Sequence, residues 1–181
     1  MAFNTQNVTG TAKTTVTLVD RSKFESLSLA SVHSGDAAVV DLYVAGVDGT
    51  NITDTGTNMN QATAPTTIRA STSETALTVD GTTATDDLFL NEKVYKSDGT
   101  LFGTCTAVAS GTSLQFSGGL EQFITNNDDL YTGTRVYLIK AVTIPTGATL
   151  ILEAGDINFN TNTHALWIKL SAGSIDIMAR Q

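Results

Sequence analysis

A chain of 181 residues is long enough for one large or two small domains, and 41% hydrophobic residues are enough for a core. Only 15% of residues are charged, and ten Lys and Arg stand against eighteen Asp and Glu, a net charge of −8. That balance, with no basic stripe, excludes a reader of the phosphate backbone. The single cysteine, Cys105, excludes an intramolecular disulfide framework and a Cys-rich zinc site.

The strands announce themselves in chain order. The start, Met1-Ala-Phe-Asn-Thr-Gln-Asn7, is polar and carries no secretion signal. With no apolar run near ~20 residues, it predicts a soluble protein made in a cytoplasm, without a membrane partner. Thr14 to Val19 alternates Val16 and Leu18 with threonines. Phe24 to Val32 sets Leu27 and Leu29 on one face and Ser26, Ser28 and Ala30 on the other. After the turn Ser34-Gly-Asp36, Ala37 to Val44 sets Val40, Leu42 and Val44 against Asp41 and Tyr43. Period-two alternation bounded by turns marks half-buried antiparallel strands. From Gly46 to Thr67 large apolar residues nearly vanish, which predicts a long surface loop or linker ending near Pro65.

Residues 66–134 read as a separate small unit. Thr75 to Val79 aligns Leu77 with Val79, and Leu88 to Lys96 leads through Ser97-Asp-Gly-Thr100 into Leu101 to Ala109. Asp-Gly between alternating runs is a hairpin signal. Ser113 to Phe116 adds a strand, and Leu120, Phe123 and Ile124 stand at helical spacing, which predicts one short helical turn. The strong beat then returns. Arg135 to Ile144, closed by Pro145-Thr-Gly147, is followed by Thr149 to Glu153. Ala165 to Leu170 comes next, with Leu166, Ile168 and Leu170 inside and Trp167 and Lys169 opposite. Ser174 to Met178 is last, with Ile175 and Ile177 inside and Asp176 outside. The expected fold is all-β: a jelly-roll-like β-sandwich built from residues 1–65 and 135–181, carrying an inserted small β-barrel-like domain over 66–134.

Chemistry is harder to find. His33 stands at a strand end and His164 in the polar turn Asn160-Thr-Asn-Thr-His164, so neither has a partner close in sequence. Cys105, in an alternating run, reads as a small buried strand residue. Asp86-Asp87 and Asp128-Asp129 are neighbours that point to opposite faces of a strand, and turn acids explain them better than a catalytic pair. Asp48-Gly-Thr-Asn-Ile-Thr-Asp54 is oxygen-rich but lacks the spacing of a calcium loop, so Asx-type turns are expected. The Asn-x-Thr sequons at Asn7 and Asn51 carry little weight without a secretion signal. Tyr43, Tyr95, Tyr131, Tyr137 and Trp167 are too scattered to show a sugar platform. No catalytic residue, metal ligand or cofactor site is expected, and the chain reads as a non-enzyme.

Two stretches resemble known proteins. Lys140-Ala-Val-Thr-Ile-Pro-Thr-Gly-Ala-Thr-Leu-Ile-Leu-Glu153 continues into Asn158-Phe-Asn160, Ala165-Leu-Trp-Ile-Lys-Leu170 and Ser174-Ile-Asp-Ile177. This run resembles the closing strands of a sandwich or jelly-roll domain in cyanophage-like, tailed-phage virion proteins. Glu92-Lys-Val-Tyr-Lys-Ser-Asp-Gly-Thr-Leu-Phe-Gly-Thr104 is similar to small barrel modules of phage structural proteins. The resemblance implies a capsid decoration (cement) protein, often a trimer seated on the major capsid protein, at the capsid surface of a virion after synthesis in the host cytoplasm. A neck-, tail- or fibre-associated protein is the nearest variant. Self-association and binding to virion proteins, with neither nucleic acid nor membrane, are the partners expected. A different class, a carbohydrate- or receptor-binding β module, rests on the Asp/Asn/Thr-rich loop and on an exposed Trp167.

Overall fold

The computed structural model describes residues 3–17, 25–32, 35–60, 66–68, 75–80, 88–110, 112–117, 122–124 and 126–180. Among them there is no helix, and sixteen strands follow one another. These are β1 Phe3–Thr9, β2 Thr14–Thr15, β3 Ser26–Ser31, β4 Ala38–Gly46, β5 Ile52–Asn58, β6 Thr66–Ile68, β7 Thr75–Thr78, β8 Lys93–Tyr95, β9 Leu101–Ser110, β10 Ser113–Ser117, β11 Gln122–Ile124, β12 Asp129–Gly133, β13 Arg135–Ile144, β14 Thr149–Glu153, β15 His164–Ala172 and β16 Ser174–Arg180. The protein is all-β.

The chain divides into two compact units, Met1–Ala45 with Arg135–Gln181, and Gly46–Thr134. In the first, one sheet runs β1-β16-β3-β14 and the other β13-β4-β15-β2. Alternation supplies a single core between them. Val8, Leu27, Leu29, Ile175 and Ile177 come from the first sheet, and Val40, Leu42, Leu166, Ile168 and Leu170 from the second. Two sheets that share one apolar layer make a β-sandwich. At ~25 cal/mol per Å² of apolar surface removed from water, such fully buried leucines and isoleucines are the main stabilising contribution.

β1 lies in a segment that reads as merely polar. Phe3-Asn-Thr-Gln-Asn-Val-Thr9 has one buried apolar side chain, Val8, and pairs in register with β16 from Phe3↔Arg180 to Thr9↔Ser174. Of the strand expected over Thr14 to Val19, Thr14 and Thr15 are paired, with Ile168 and Trp167. Residues 18 and 19 lie outside the described residues.

The second unit is built on the sheet β5-β12-β8-β9-β10-β7, with a two-stranded ribbon β11-β6. Its core gathers Met59, Leu77, Phe89, Val94, Phe102, Leu114, Phe116 and Leu130, with Phe102 and Phe116 edge to face at 5.2 Å. Among the described residues the barrel-like unit expected here does not close. The edge strands β5 and β7 have no ladder between them, and the chain segments just beyond them meet at one bridge, Met59↔Val79. There Asn60 N–H donates to Thr78 O (3.0 Å) and Asp80 N–H to Asn58 O (2.7 Å).

Three further expectations need correction. The stretch from Gly46 to Thr67 is not all loop, because Ile52–Asn58 is a strand that pairs with β12. Its threonines do the work that large apolar residues do elsewhere: Thr57 is buried, and Thr55 Oγ1 donates to Leu130 O (2.7 Å). For the same reason the first crossing between units falls at Ala45/Gly46 and not near Pro65. Pro65 itself lies outside the described residues. Gln122–Ile124 is strand, paired with β6, and not part of a helical turn. The ends of the second unit are neighbours: Gly46 N–H donates to Thr134 O (3.3 Å) and Thr134 N–H to Asn51 O (2.8 Å). A whole unit can therefore leave the sandwich between β4 and β13, which pair with each other.

Candidate functional site

The most chemically varied surface is the non-core face of β13-β4-β15-β2. β4 sends Val40, Leu42 and Val44 to the core, so Tyr43 and Ala45 fall on the opposite face. β13 places Tyr137 opposite Tyr43 and Arg135 opposite Ala45. Tyr43 and Tyr137 rings stand 5.2 Å apart at 47°. The Arg135 guanidinium sits 5.1 Å from the Tyr43 centroid, Lys140 Nζ 4.7 Å from Tyr137, and Lys13 Nζ 5.7 Å from Trp167. Each such cation–π contact contributes about 0.5–2 kcal/mol, more where water is excluded.

Trp167 is not the exposed platform that a carbohydrate module needs. It is 6% exposed and clusters with Tyr43 and Ala45. Its indole N–H is buried with no hydrogen-bond partner among the described residues. Tyr137 is the exposed ring of the group, at 39%. Among the described residues this face carries rings and cations, which are side chains suited to packing.

The titratable candidates are dispersed. His164 opens β15, with Nδ1 2.8 Å from Thr163 Oγ1, and lines a cleft of about 140 Å³ with Phe159, Thr15, Thr17 and Thr161. No carboxylate lines that cleft, and it is small beside the ~300–1,000 Å³ of ordinary ligand pockets. Cys105 is buried in the second core, its Sγ 3.5 Å from Ala107 O. Asp129 is exposed at the start of β12, opposite Asn58. His33, Asp86 and Asp87 lie outside the described residues. Among the described residues no three His, Cys, Asp or Glu side chains converge on a point.

The oxygen-rich run Asp48–Asp54 folds its carboxylates back on its own backbone. Asp48 Oδ1 accepts from Thr50 Oγ1 (2.8 Å) and Thr50 N–H (3.1 Å), and Asp54 Oδ1 from Gly56 N–H (2.8 Å). These are Asx turns. The bonds from the Thr50 hydroxyl and N–H hold the Asp48 carboxyl below its ordinary range. Of the sequon asparagines, Asn7 Nδ2 donates to Asp176 Oδ1 (2.7 Å) and Asn51 Nδ2 to Thr50 Oγ1 (3.1 Å).

Two features were not legible in the sequence. Tyr95 is buried in the second unit, and its hydroxyl has no hydrogen-bond partner among the described residues. Burial, then the charges of Asp48 and Glu92, push its pKa up to about 12. Beside it two turns meet glycine to glycine, for a Cβ on Gly99 would run into the carbonyl of Gly49. The second feature is charge. Gly46–Thr134 holds eleven Asp and Glu against three Lys and Arg, while the sandwich holds seven of each. The whole excess of −8 thus belongs to the second unit, and the division at Ala45/Gly46 adds Asp48 and Asp54 to the −6 of residues 66–134.

Among the described residues, apolar exposure follows the opposite pattern. Phe3, Ile151 and Met178 stand on the outer face of β1-β16-β3-β14, and Val136 lies on β13, all in the sandwich. No protein-family model, curated protein or solved structure matches the chain.

Proposed function

We propose that this chain is a virion structural protein that seats on the major capsid protein and decorates a phage head, with no catalytic role. The observation that carries this reading is the split between a sandwich of zero net charge with exposed apolar side chains and an insert that holds the entire −8. A surface without net charge that exposes apolar side chains suits contact with another protein, since charged residues are depleted in interface cores. An acidic module repels its copies on neighbouring subunits and keeps a crowded surface soluble.

The finer fold reading belongs with it: a jelly roll with a barrel-like insert. The orders β1-β16-β3-β14 and β13-β4-β15-β2 support it, because they interlock two four-strand Greek keys. The bridge Met59↔Val79 supports an insert curled towards a barrel. Jelly rolls also serve lectins and cupins, so fold alone does not assign the role. The resemblance of the strands from Lys140 to Ile177 to tailed-phage virion proteins selects among them. Many identical seats on a capsid would turn a weak contact into avidity.

The test is co-sedimentation of the purified protein with phage heads that lack it. Saturable pelleting at a stoichiometry set by capsid symmetry is the expected result. Recovery at a few copies per particle would place it at the neck or tail instead, and no pelleting at micromolar concentration would end the virion reading.

A further inference from the structure

We propose that the open edge of β14 joins two copies of this chain, β14 to β14, antiparallel about a two-fold axis at Leu150. The contact goes beyond seating on a capsid and does not depend on it.

Among the described residues the sandwich has four edge strands, and three are blunted. On one flank β1 and β2 are stitched together: Asn4 Nδ2 donates to Thr17 O (2.5 Å), Gln6 Nε2 to Thr15 O (3.0 Å), and Thr17 N–H to Gln6 Oε1 (3.3 Å). β2 is in any case only two residues long. On the other flank β13 breaks register with β4 twice. Its Ala141 takes φ +52° and gives its N–H to Asp41 Oδ1 (2.6 Å), and Lys140 stands beside it. Short strands, bulges and edge lysines are the usual protections against strand addition. β14 has none of them. Its five residues, Thr149-Leu-Ile-Leu-Glu153, pair with β3 without a break.

Which backbone groups stay open can be counted. Ser31 N–H donates to Ala148 O (3.0 Å), which fixes the alternation along the ladder. Leu150 and Leu152 therefore face β3 with their N–H and C=O, while Thr149, Ile151 and Glu153 turn theirs to the open side. Glu153 is already occupied, since its N–H donates to Asp156 Oδ2 (2.9 Å) and its C=O accepts from Asp156 N–H (2.9 Å). Thr149 and Ile151 remain, with two donors and two acceptors. An antiparallel second copy with Thr149 opposite Ile151, and Ile151 opposite Thr149, satisfies all four at once. That register is a two-fold at Leu150, and an isologous contact of this kind closes at two copies.

The side chains agree with the same register. Leu150, half-buried against the core, meets its own copy at a close, non-hydrogen-bonded position. Ile151, 55% exposed, gains the second copy's Thr149 as a neighbour. The one charged residue of the strand, Glu153, falls beyond the paired residues, whereas parallel addition in register would stack glutamate on glutamate. One strand pair is a small interface, which sets the affinity in the micromolar rather than the nanomolar range.

The test is solution mass by light scattering over a dilution series, with amide exchange on the same samples. The wild type is expected to have the mass of two chains at high concentration and of one on dilution, with the Thr149 and Ile151 amides slowing as concentration rises. Ile151→Pro removes an open donor that β3 does not use, a position where an edge strand tolerates proline. It should be monomeric throughout, with an unchanged melting temperature and undiminished pelleting with phage heads. A wild type that stays monomeric overturns the proposal. So does a dimer in which the Thr149 and Ile151 amides exchange at a concentration-independent rate, an outcome that needs no variant to fold.

Discussion

In the sandwich two sheets share Leu27, Leu29, Leu42, Ile168 and Ile177 between them, and four strand edges are left to manage. In the inserted unit a six-stranded sheet carries Phe102, Leu114 and Phe116, and the chain segments just beyond its two edge strands meet at Met59↔Val79. The sandwich stitches one flank with Asn4 and Gln6, bulges β13, and leaves β14 open. The insert brings its edges together and carries all the net negative charge. The contrast teaches where association can occur. Repulsion is concentrated in the insert, and the neutral unit keeps the open edge and, among the described residues, the exposed apolar side chains.

Since each unit has its own core, truncation in one should lower the transition of that unit first, and this is the strongest way to test the comparison. Phe102→Ala removes a fully buried ring from its edge-to-face contact with Phe116, at an expected cost of about 3–5 kcal/mol. Leu29→Ala in the sandwich should cost about 2–5 kcal/mol. Calorimetry with near-ultraviolet dichroism would show whether each variant shifts a separate transition. A single transition lowered equally by both would mean that the units fold as one cooperative block and the contrast is only architectural.

A smaller effect tests the turns of the insert. Gly99 has φ +81°, and a Cβ there would meet the Gly49 backbone, itself at φ +79°. Gly99→Ala should therefore cost about 1–3 kcal/mol for the left-handed backbone alone, with the backbone clash adding to it. Gly155→Ala in the sandwich, where nothing lies within 4 Å of the new Cβ, should leave the melting temperature unchanged. Equal loss in both would remove the two-turn contact as a stabilising feature of the insert.

How much of this was legible depended on which side chains carried each strand. Leu27 and Leu29, then Leu166, Ile168 and Leu170, and Ile175 with Ile177 alternate strongly, and all are core. The Asp98-Gly99 hairpin was legible too, although Gly99 alone takes positive φ. β1 was missed because its order comes from β16 and from the Asn4 and Gln6 side chains, not from its own apolar content. β5 was missed because threonines fill it, and a hydroxyl that bonds a neighbouring strand leaves no hydrophobic beat. Phe123 and Ile124 fit a helical period only because three residues cannot distinguish one period from another. For the candidate face, alternation placed Tyr43 and Trp167 opposite the core, yet it could not tell that both would be buried. Side-chain direction is local, whereas burial depends on what the rest of the chain brings to that face.

The smallest expected effect separates the units by pH. Tyr95 keeps its proton to about pH 12 in the folded chain because burial and the charges of Asp48 and Glu92 oppose the phenolate, while an unfolded tyrosine loses it near pH ~10. A folded pKa raised above the unfolded one gives stability that is fully present below pH ~10 and is lost as pH rises towards the folded value. The wild-type insert should therefore weaken over that window. Tyr95→Phe should show less of the decline, with the sandwich transition indifferent to the change. At neutral pH the variant removes a buried hydroxyl that has no hydrogen-bond partner among the described residues, so it should be neutral or stabilising by up to about 1 kcal/mol. Half-buried Tyr131, also raised by desolvation and by Asp54 and Asp129, remains in both proteins and cancels in the difference. A Tyr95→Phe protein that loses stability at neutral pH would show that the hydroxyl does bond in solution, and that the insert's core is more polar than its aromatic packing implies.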